Sequence, residues 1–219
     1  LYPGRGVSRC CLSSISGAQI RKVNSYAVAR ELIDAAHSAD PKRLAGRAAE
    51  LLYADQMEAW VVRLAPKASD LLCLAARCQH LERWSVPRNS HPTGRIGYLA
   101  WRKTLYERQA ERARQLLVQA GVAPEEVEQV ATWVSKAELK TNPNTQLLED
   151  AACLVFLENE ISDFASQHSD YPREKFITIL GKTWRKMTPA AREAALGLKF
   201  PPAIADLLKE AIALSENRP

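Results

Sequence analysis

A chain of 219 residues with 47% hydrophobic content is long enough to bury one sizeable core. Charges interrupt every apolar run within about 18 residues, too soon for a membrane-spanning helix, so no membrane insertion is expected. The formal charge of +5 comes from the first thirty residues, where Arg5, Arg9, Arg21, Lys22 and Arg30 meet no acidic side chain; the remainder is neutral, and only local clusters of charge can argue for a polyanionic partner.

Residues 1–23, rich in Arg, Ser and Cys, have the composition of a mitochondrial or plastid transit peptide, with a solvated extension and a basic arm reaching for RNA as the alternatives. A helical domain is expected over residues 24–215, with a short tail at 216–219. Tyr26, Ala29, Leu32, Ile33 and Ala36 form one apolar stripe that stops at Asp40-Pro41, where Asp can cap the next helix and Pro can occupy its first turn. That second helix is expected to reach Pro66. A third holds Leu71, Leu72, Leu74, Ala75 and Cys78 and is expected to continue to Trp84; Pro87, Pro92, Gly94 and Gly97 then mark the longest loop.

Leu99, Tyr106, Ala110, Ala113, Leu117 and Ala120 recur at helical spacing, and Gly121 can end that helix in a left-handed conformation. Pro124 opens a short helix whose Glu125 and Glu126 suit the positive end of its dipole. Gln146 to Phe164 follows, apolar on every side between Ala151 and Leu157, as a central buried helix should be. Lys175 to Lys186, a segment begun by Thr188-Pro189, and Pro202 to Ser215 complete an all-α single domain. Five cysteines without a C-x-x-C pair suggest neither a disulfide framework nor a zinc knuckle. Cys73, Cys78 and Cys153 read as buried hydrophobes.

Three runs stand out: Ala75 to Trp84 (AARCQHLERW) with Val86-Pro87-Arg88, Gly97 to Arg102 (GYLAWR), and Leu148 to Glu158 (LEDAACLVFLE). With Lys182 to Met187 (KTWRKM) they resemble the uncharacterised family 4202 of domains of unknown function, over about Tyr26 to Leu198. Members are sometimes labelled glutamyl-tRNA synthetase, yet no nucleotide-binding strand and glycine loop is visible here. A more distant resemblance is to the HD-domain phosphohydrolases, helical enzymes whose His, His-Asp pair and later Asp hold metal. It implies an HD-like helical fold, with Gln79-His80 at the His-Asp position, Asp150 at the final Asp and Tyr53 near the first His. On that resemblance His80 and Asp150 are the expected catalytic and metal-binding residues, with a divalent metal as cofactor.

Asp150 has apolar helical neighbours in Leu147, Ala151, Cys153 and Leu154, so its buried carboxylate needs a metal, an arginine or a cap opposite it. His80, on the expected helix face with Arg77, Arg83 and Trp84, reads as a metal ligand, a general base or a packed histidine. Glu107 and Glu111 lie four apart but alternate with Lys103, Arg108, Arg112 and Arg114, the pattern of a solvated face with local ion pairs. Arg77, Arg83, Arg88, Arg95 and Arg102 recur beside Trp84, Tyr98 and Trp101. Forked guanidinium donors and aromatic faces suit phosphate and base, and Arg77, Arg83, Trp84, Arg88 and Arg102 are the expected substrate-binding set.

Two function classes follow. One is a metal-assisted phosphohydrolase acting on a nucleotide or other phosphorylated substrate. The other is a helical module that lost ligands at Tyr53 and Gln79 and binds RNA or serves a protein assembly in an organelle, such as a ribosome.

Overall fold

The computed structural model describes residues 17–216, in ten α-helices and one small hairpin. The segment 1–16, which carries most of the expected targeting remnant, and residues 217–219 lie outside the described residues. The first helix, α1 (Gly17–Ser38), begins ahead of the Tyr26 stripe and takes in residues 17–23.

Asp40 caps α2 (Ala49–Leu64), but from across an intervening turn. One carboxylate oxygen accepts from the Lys42 amide at 2.9 Å and the other from the Glu50 amide at 3.0 Å, in the first turn of α2. The second helix therefore starts at Ala49, not at Pro41. Between them β1 (Arg43–Leu44) and β2 (Arg47–Ala48) pair antiparallel around Ala45-Gly46, both at positive φ, 48° and 82°. Two successive left-handed residues match the twist of a tight hairpin, a signal too short for periodicity to reveal.

The third helix departs further from expectation. Ser69 caps α3 (Asp70–Arg77), and the helix stops at Arg77 instead of reaching Trp84. His80 (φ 61°) and Glu82 (φ 51°) are both left-handed, a conformation that costs a non-glycine residue roughly 1–2 kcal/mol and cannot continue a helix. A short 3-10 turn at Arg83–Ser85 and another at Arg88–Ser90 lead to α4 (Gly94–Gln119), which begins earlier than expected and takes Gly97 into its body. A Cβ at Gly97 would lie 1.9 Å from the Pro92 carbonyl oxygen, so only glycine lets the loop fold back against the helix.

Gly121 ends α4 at φ 76° as expected, and α5 (Pro124–Val134) carries Pro in its first turn. Asn142 caps α6 (Pro143–Val155), which continues through a five-residue π segment, Phe156–Glu160, into α7 (Ile161–Gln167). α8 (Arg173–Lys186), α9 (Pro189–Leu196, capped by Thr188) and α10 (Pro202–Glu216) close the fold. Helix α6 is central: it packs on α2, α5, α8 and α9, and Leu148, Ala151, Leu154 and Val155 are sealed from solvent. Each buried Leu or Val contributes about 1.5–3 kcal/mol of hydrophobic stabilisation. Cys78 and Cys153 are buried, and burial pushes both thiols up to about 12, as inert packing groups require.

Candidate functional site

The polar residues singled out in the sequence separate into three places. The first is centred on Arg77, whose side chain is 1% exposed. Its Nε donates to Asp34 Oδ1 at 2.7 Å, its Nη1 donates to Asp55 and Glu58 at 2.9 Å each, and its Nη2 also meets Asp34. Arg30 forks onto Glu58, and buried His37 places Nε2 2.7 Å from the Arg77 carbonyl oxygen. Although burial pushes Asp55 and Glu58 upward, the guanidinium groups hold both below the ordinary carboxylate range. Three carboxylates from α1 and α2 thus consume the guanidinium, which ties α3 to both helices. Arg77 is not available to a substrate.

The second place is Asp150. Its carboxylate accepts from the Thr188 hydroxyl at 2.6 Å, the Thr188 amide at 3.0 Å and the Gln146 side-chain amide at 2.9 Å. It supports the cap of α9, the structural alternative foreseen for a buried carboxylate, although with a threonine as partner instead of an arginine. Among the described residues no group of three or more His, Cys, Asp and Glu side chains is placed to hold a metal ion. A His80–Asp150 metal pair accordingly has no third protein ligand, and the residues present do not fit the metal that the HD-like resemblance implies.

The third place is built on the left-handed turn that ends α3. His80 lies off the helix, on a strained backbone, with its ring stacked on Tyr53 at 3.9 Å between centroids and 11° between planes. Its Nδ1 is 3.4 Å from Glu50 Oε2 and 3.5 Å from Arg83 Nη1. Glu50 and Tyr53 share one face of α2 because they are three residues apart. The imidazole keeps 24% of its side-chain surface exposed. Among the described residues Nε2 makes no hydrogen bond, and it is not sealed from solvent.

Charge converges on this ring from separate parts of the chain. Burial, then the positive charges of Arg83, Lys136 and Arg102, hold the His80 pKa well below its usual value, so the imidazole is neutral at pH 7. Burial pushes Glu50 up to about 7 against the pull of Arg83 and His37. Glu160, at the end of the π segment, is also raised by burial and acts on Tyr53 and Glu50. Lys136 sits in a second left-handed position, φ 58°, and pairs with Glu149; burial lowers its pKa against that partner. Burial likewise opposes ionisation of Glu149, but Lys136 and Lys186 pull it down to about 2. Two strained backbone positions and a π segment around one cluster of perturbed groups are features that concentrate at functional sites.

The remaining arginines divide by what their donors already do. Arg88 spends its guanidinium on the carbonyls of His91, Pro92 and Gly94, which pins the loop that Gly97 admits. Arg88 thus acts as a clasp of the loop. Arg83 lies over Trp101 at 5.3 Å, and Arg102 lies over Tyr106 at 5.0 Å while reaching the Tyr98 hydroxyl. Neither meets a carboxylate at ion-pair distance among the described residues, so both keep donors for an anion. Trp84 is partly buried in the 3-10 turn, and the aromatic faces are those of Trp101, Tyr98 and Tyr106. Glu107 and Glu111 pair with Lys103 and Arg114 on the exposed face of α4, along a cavity of about 440 Å³ that Leu81 and Glu82 also line but His80 does not.

Of the residues singled out in the sequence, His80, Arg83 and Arg102 meet at this turn; Glu50, Lys136 and Glu160, which the sequence did not single out, join them. Glu50 follows the Asp40 cap, where a first-turn acid reads as dipole chemistry, and nothing local distinguishes Lys136 or Glu160 from surface charge. The sequence profile of a domain of unknown function, DUF4202, matches residues 27–208. Neither a curated protein nor a solved structure matches the chain.

Proposed function

This chain belongs to the DUF4202 family, and from that premise we propose that it binds a phosphorylated small molecule at the His80 turn and hydrolyses its phosphoester. The observation that carries the reading is geometric: Arg83 Nη1 lies 3.5 Å from the neutral imidazole, and Arg102 and Lys136 both lie over the Tyr106 ring, at 5.0 and 5.5 Å. Glu149 pairs with Lys136, while burial disfavours the charged forms of Glu50 and Glu160, so Arg83 and Arg102 keep positive charge that an anion can offset. A phosphate group, with two negative charges and oxygens spaced for a guanidinium fork, suits Arg83 and Arg102.

The test is a binding panel of inorganic phosphate, adenosine monophosphate, adenosine triphosphate and glucose 6-phosphate, followed by calorimetry in EDTA. Phosphorylated compounds are expected to bind, and Arg83→Met and Arg102→Met are each expected to weaken binding about ten-fold, or 1.4 kcal/mol. Equal affinity in both variants would sink the reading. Binding that appears only with magnesium or manganese would restore the metal-assisted form of the hydrolase.

A second reading is favoured by the surface beside this site. From Arg83 to Tyr106 the chain has four arginines and a lysine but no acid, and Ile96, Tyr98 and Leu99 are exposed on α4, Ile96 at 87%. An aromatic and basic face of this kind suits single-stranded RNA. Fluorescence anisotropy with an oligouridine should then show salt-dependent binding that Arg95→Ala and Tyr98→Ala both weaken; no binding at low salt removes this reading.

A further inference from the structure

We infer that His80 is the catalytic base that activates water against the phosphoryl group, and that Glu50 is the positioning residue that decides which imidazole nitrogen carries the proton. This rests on the phosphorylated-ligand reading above.

The Tyr53 ring, parallel to the imidazole at 3.9 Å, fixes its plane. Nδ1 lies 3.4 Å from Glu50 Oε2, and Nε2 is unpaired among the described residues and not sealed from solvent. A carboxylate beside one ring nitrogen with the other nitrogen open is the arrangement by which histidine removes a proton from an attacking oxygen. Two groups contend for Nδ1: Arg83 Nη1 at 3.5 Å, which can only donate, and Glu50 Oε2 at 3.4 Å. Ionised Glu50 draws the proton to Nδ1 and leaves the Nε2 lone pair free. Once Glu50 is protonated, Nδ1 accepts instead, which puts hydrogen on Nε2 and turns the base into a donor.

The groups that face this pair come from every surrounding element. They are His37 of α1, Asp40 and Lys42 before the hairpin, Tyr53 of α2, Arg83 of the turn, Arg102 of α4, Lys136 after α5, Glu149 of α6 and Glu160 of the π segment. The cations keep the imidazole neutral, and burial brings Glu50 to about 7. The exchange of tautomers therefore falls near neutral pH, with the base form present above it.

In the chemical step a water oxygen bonds to phosphorus and gives one proton to Nε2. The bond from phosphorus to the leaving oxygen breaks, and that oxygen departs with the electron pair. It then takes the proton from Nε2, so a phosphomonoester and water become an alcohol and inorganic phosphate, and the imidazole returns neutral. Arg83 and Arg102 offset charge on the phosphoryl oxygens as it moves.

The experiment is nitrogen-15 histidine NMR on the full chain between pH 5 and 9, the His80 signal being identified by its loss in His80→Asn; asparagine tolerates the left-handed backbone. Hydrogen is expected on Nε2 at the acid end and on Nδ1 at the alkaline end, and Glu50→Gln is expected to abolish the exchange. One tautomer throughout, or an exchange that survives in Glu50→Gln, overturns the inference. With p-nitrophenyl phosphate as probe, Glu50→Gln should lower kcat about 100-fold, leave KM within two-fold and remove the rise in rate near pH 7. No turnover by the wild type, or a change confined to KM, also overturns it. A different failure is separable: inorganic phosphate that leaves the His80 signals unmoved while the tautomer exchange persists removes the phosphorylated ligand, and the base role with it, but not the Glu50–His80 proton exchange.

Discussion

Arg77 and His80 are three residues apart, yet they sit in opposite kinds of environment. Around Arg77 every strong donor meets a carboxylate and the cluster is closed. Around His80, Arg83 and Arg102 meet no carboxylate at ion-pair distance among the described residues, burial brings Glu50 to about 7, and Nε2 has no partner. Burial of charge therefore does not by itself mark a site: complete pairing makes a structural node, and incomplete pairing leaves free energy that a ligand can satisfy.

The largest expected effect tests closure of the first cluster. Arg77→Met should destabilise the chain by about 3–5 kcal/mol, because it strands Asp34, Asp55 and Glu58. Urea denaturation reads this, and a loss under about 1 kcal/mol would mean that the node is not closed. Next comes the acid limb. Glu149, lowered from 4.5 to about 2, contributes stability that is fully present above pH 4.5 and is lost as pH falls toward 2. On the order of 3 kcal/mol should disappear across that window, and Glu149→Gln should flatten it.

Asp150→Asn should cost about 2 kcal/mol through the Thr188 cap while leaving phosphate affinity unchanged; a parallel loss of affinity would return Asp150 to the site. Glu50 should act with the opposite sign to Glu149. Its pKa is raised to about 7, so the folded state binds more protons than the unfolded one and loses stability as pH rises from 4.5 through 7. Glu50→Gln should consequently gain up to about 2 kcal/mol at pH 8 and little at pH 4, as thermal unfolding at both values would show. The smallest change is expected for Arg83→Met, within about 0.5 kcal/mol in stability. A large loss there would make the His80 turn a second structural node.

Most of the helices were legible in the chain because their signals are local. Pro124, Asn142-Pro143, Thr188-Pro189 and Gly121 act within one turn of helix, and the all-apolar run from Ala151 to Leu157 marks the central helix wherever it packs. The site was legible only in part. His80, Arg83 and Arg102 could be picked out by residue type, but their company could not, since Glu50, Lys136 and Glu160 come from a helix, a turn and a π segment far apart in sequence.

The end of the third helix shows where the boundary between the two kinds of information lies. Cys78, Gln79, Leu81 and Glu82 suit a helix by composition, and nothing in them announces left-handed residues at positions 80 and 82. Tertiary packing overrides that preference: Tyr53 takes the imidazole face, Arg112 holds Glu82 at 2.8 Å, and the guanidinium of Arg77 is anchored by α1 and α2. By itself, then, the sequence determined an all-α domain and its caps, because hydrogen-bond closure at helix ends is a matter of neighbouring residues. Only the tertiary structure decided which charges are spent and which remain for a ligand, because pairing depends on residues that meet across the fold.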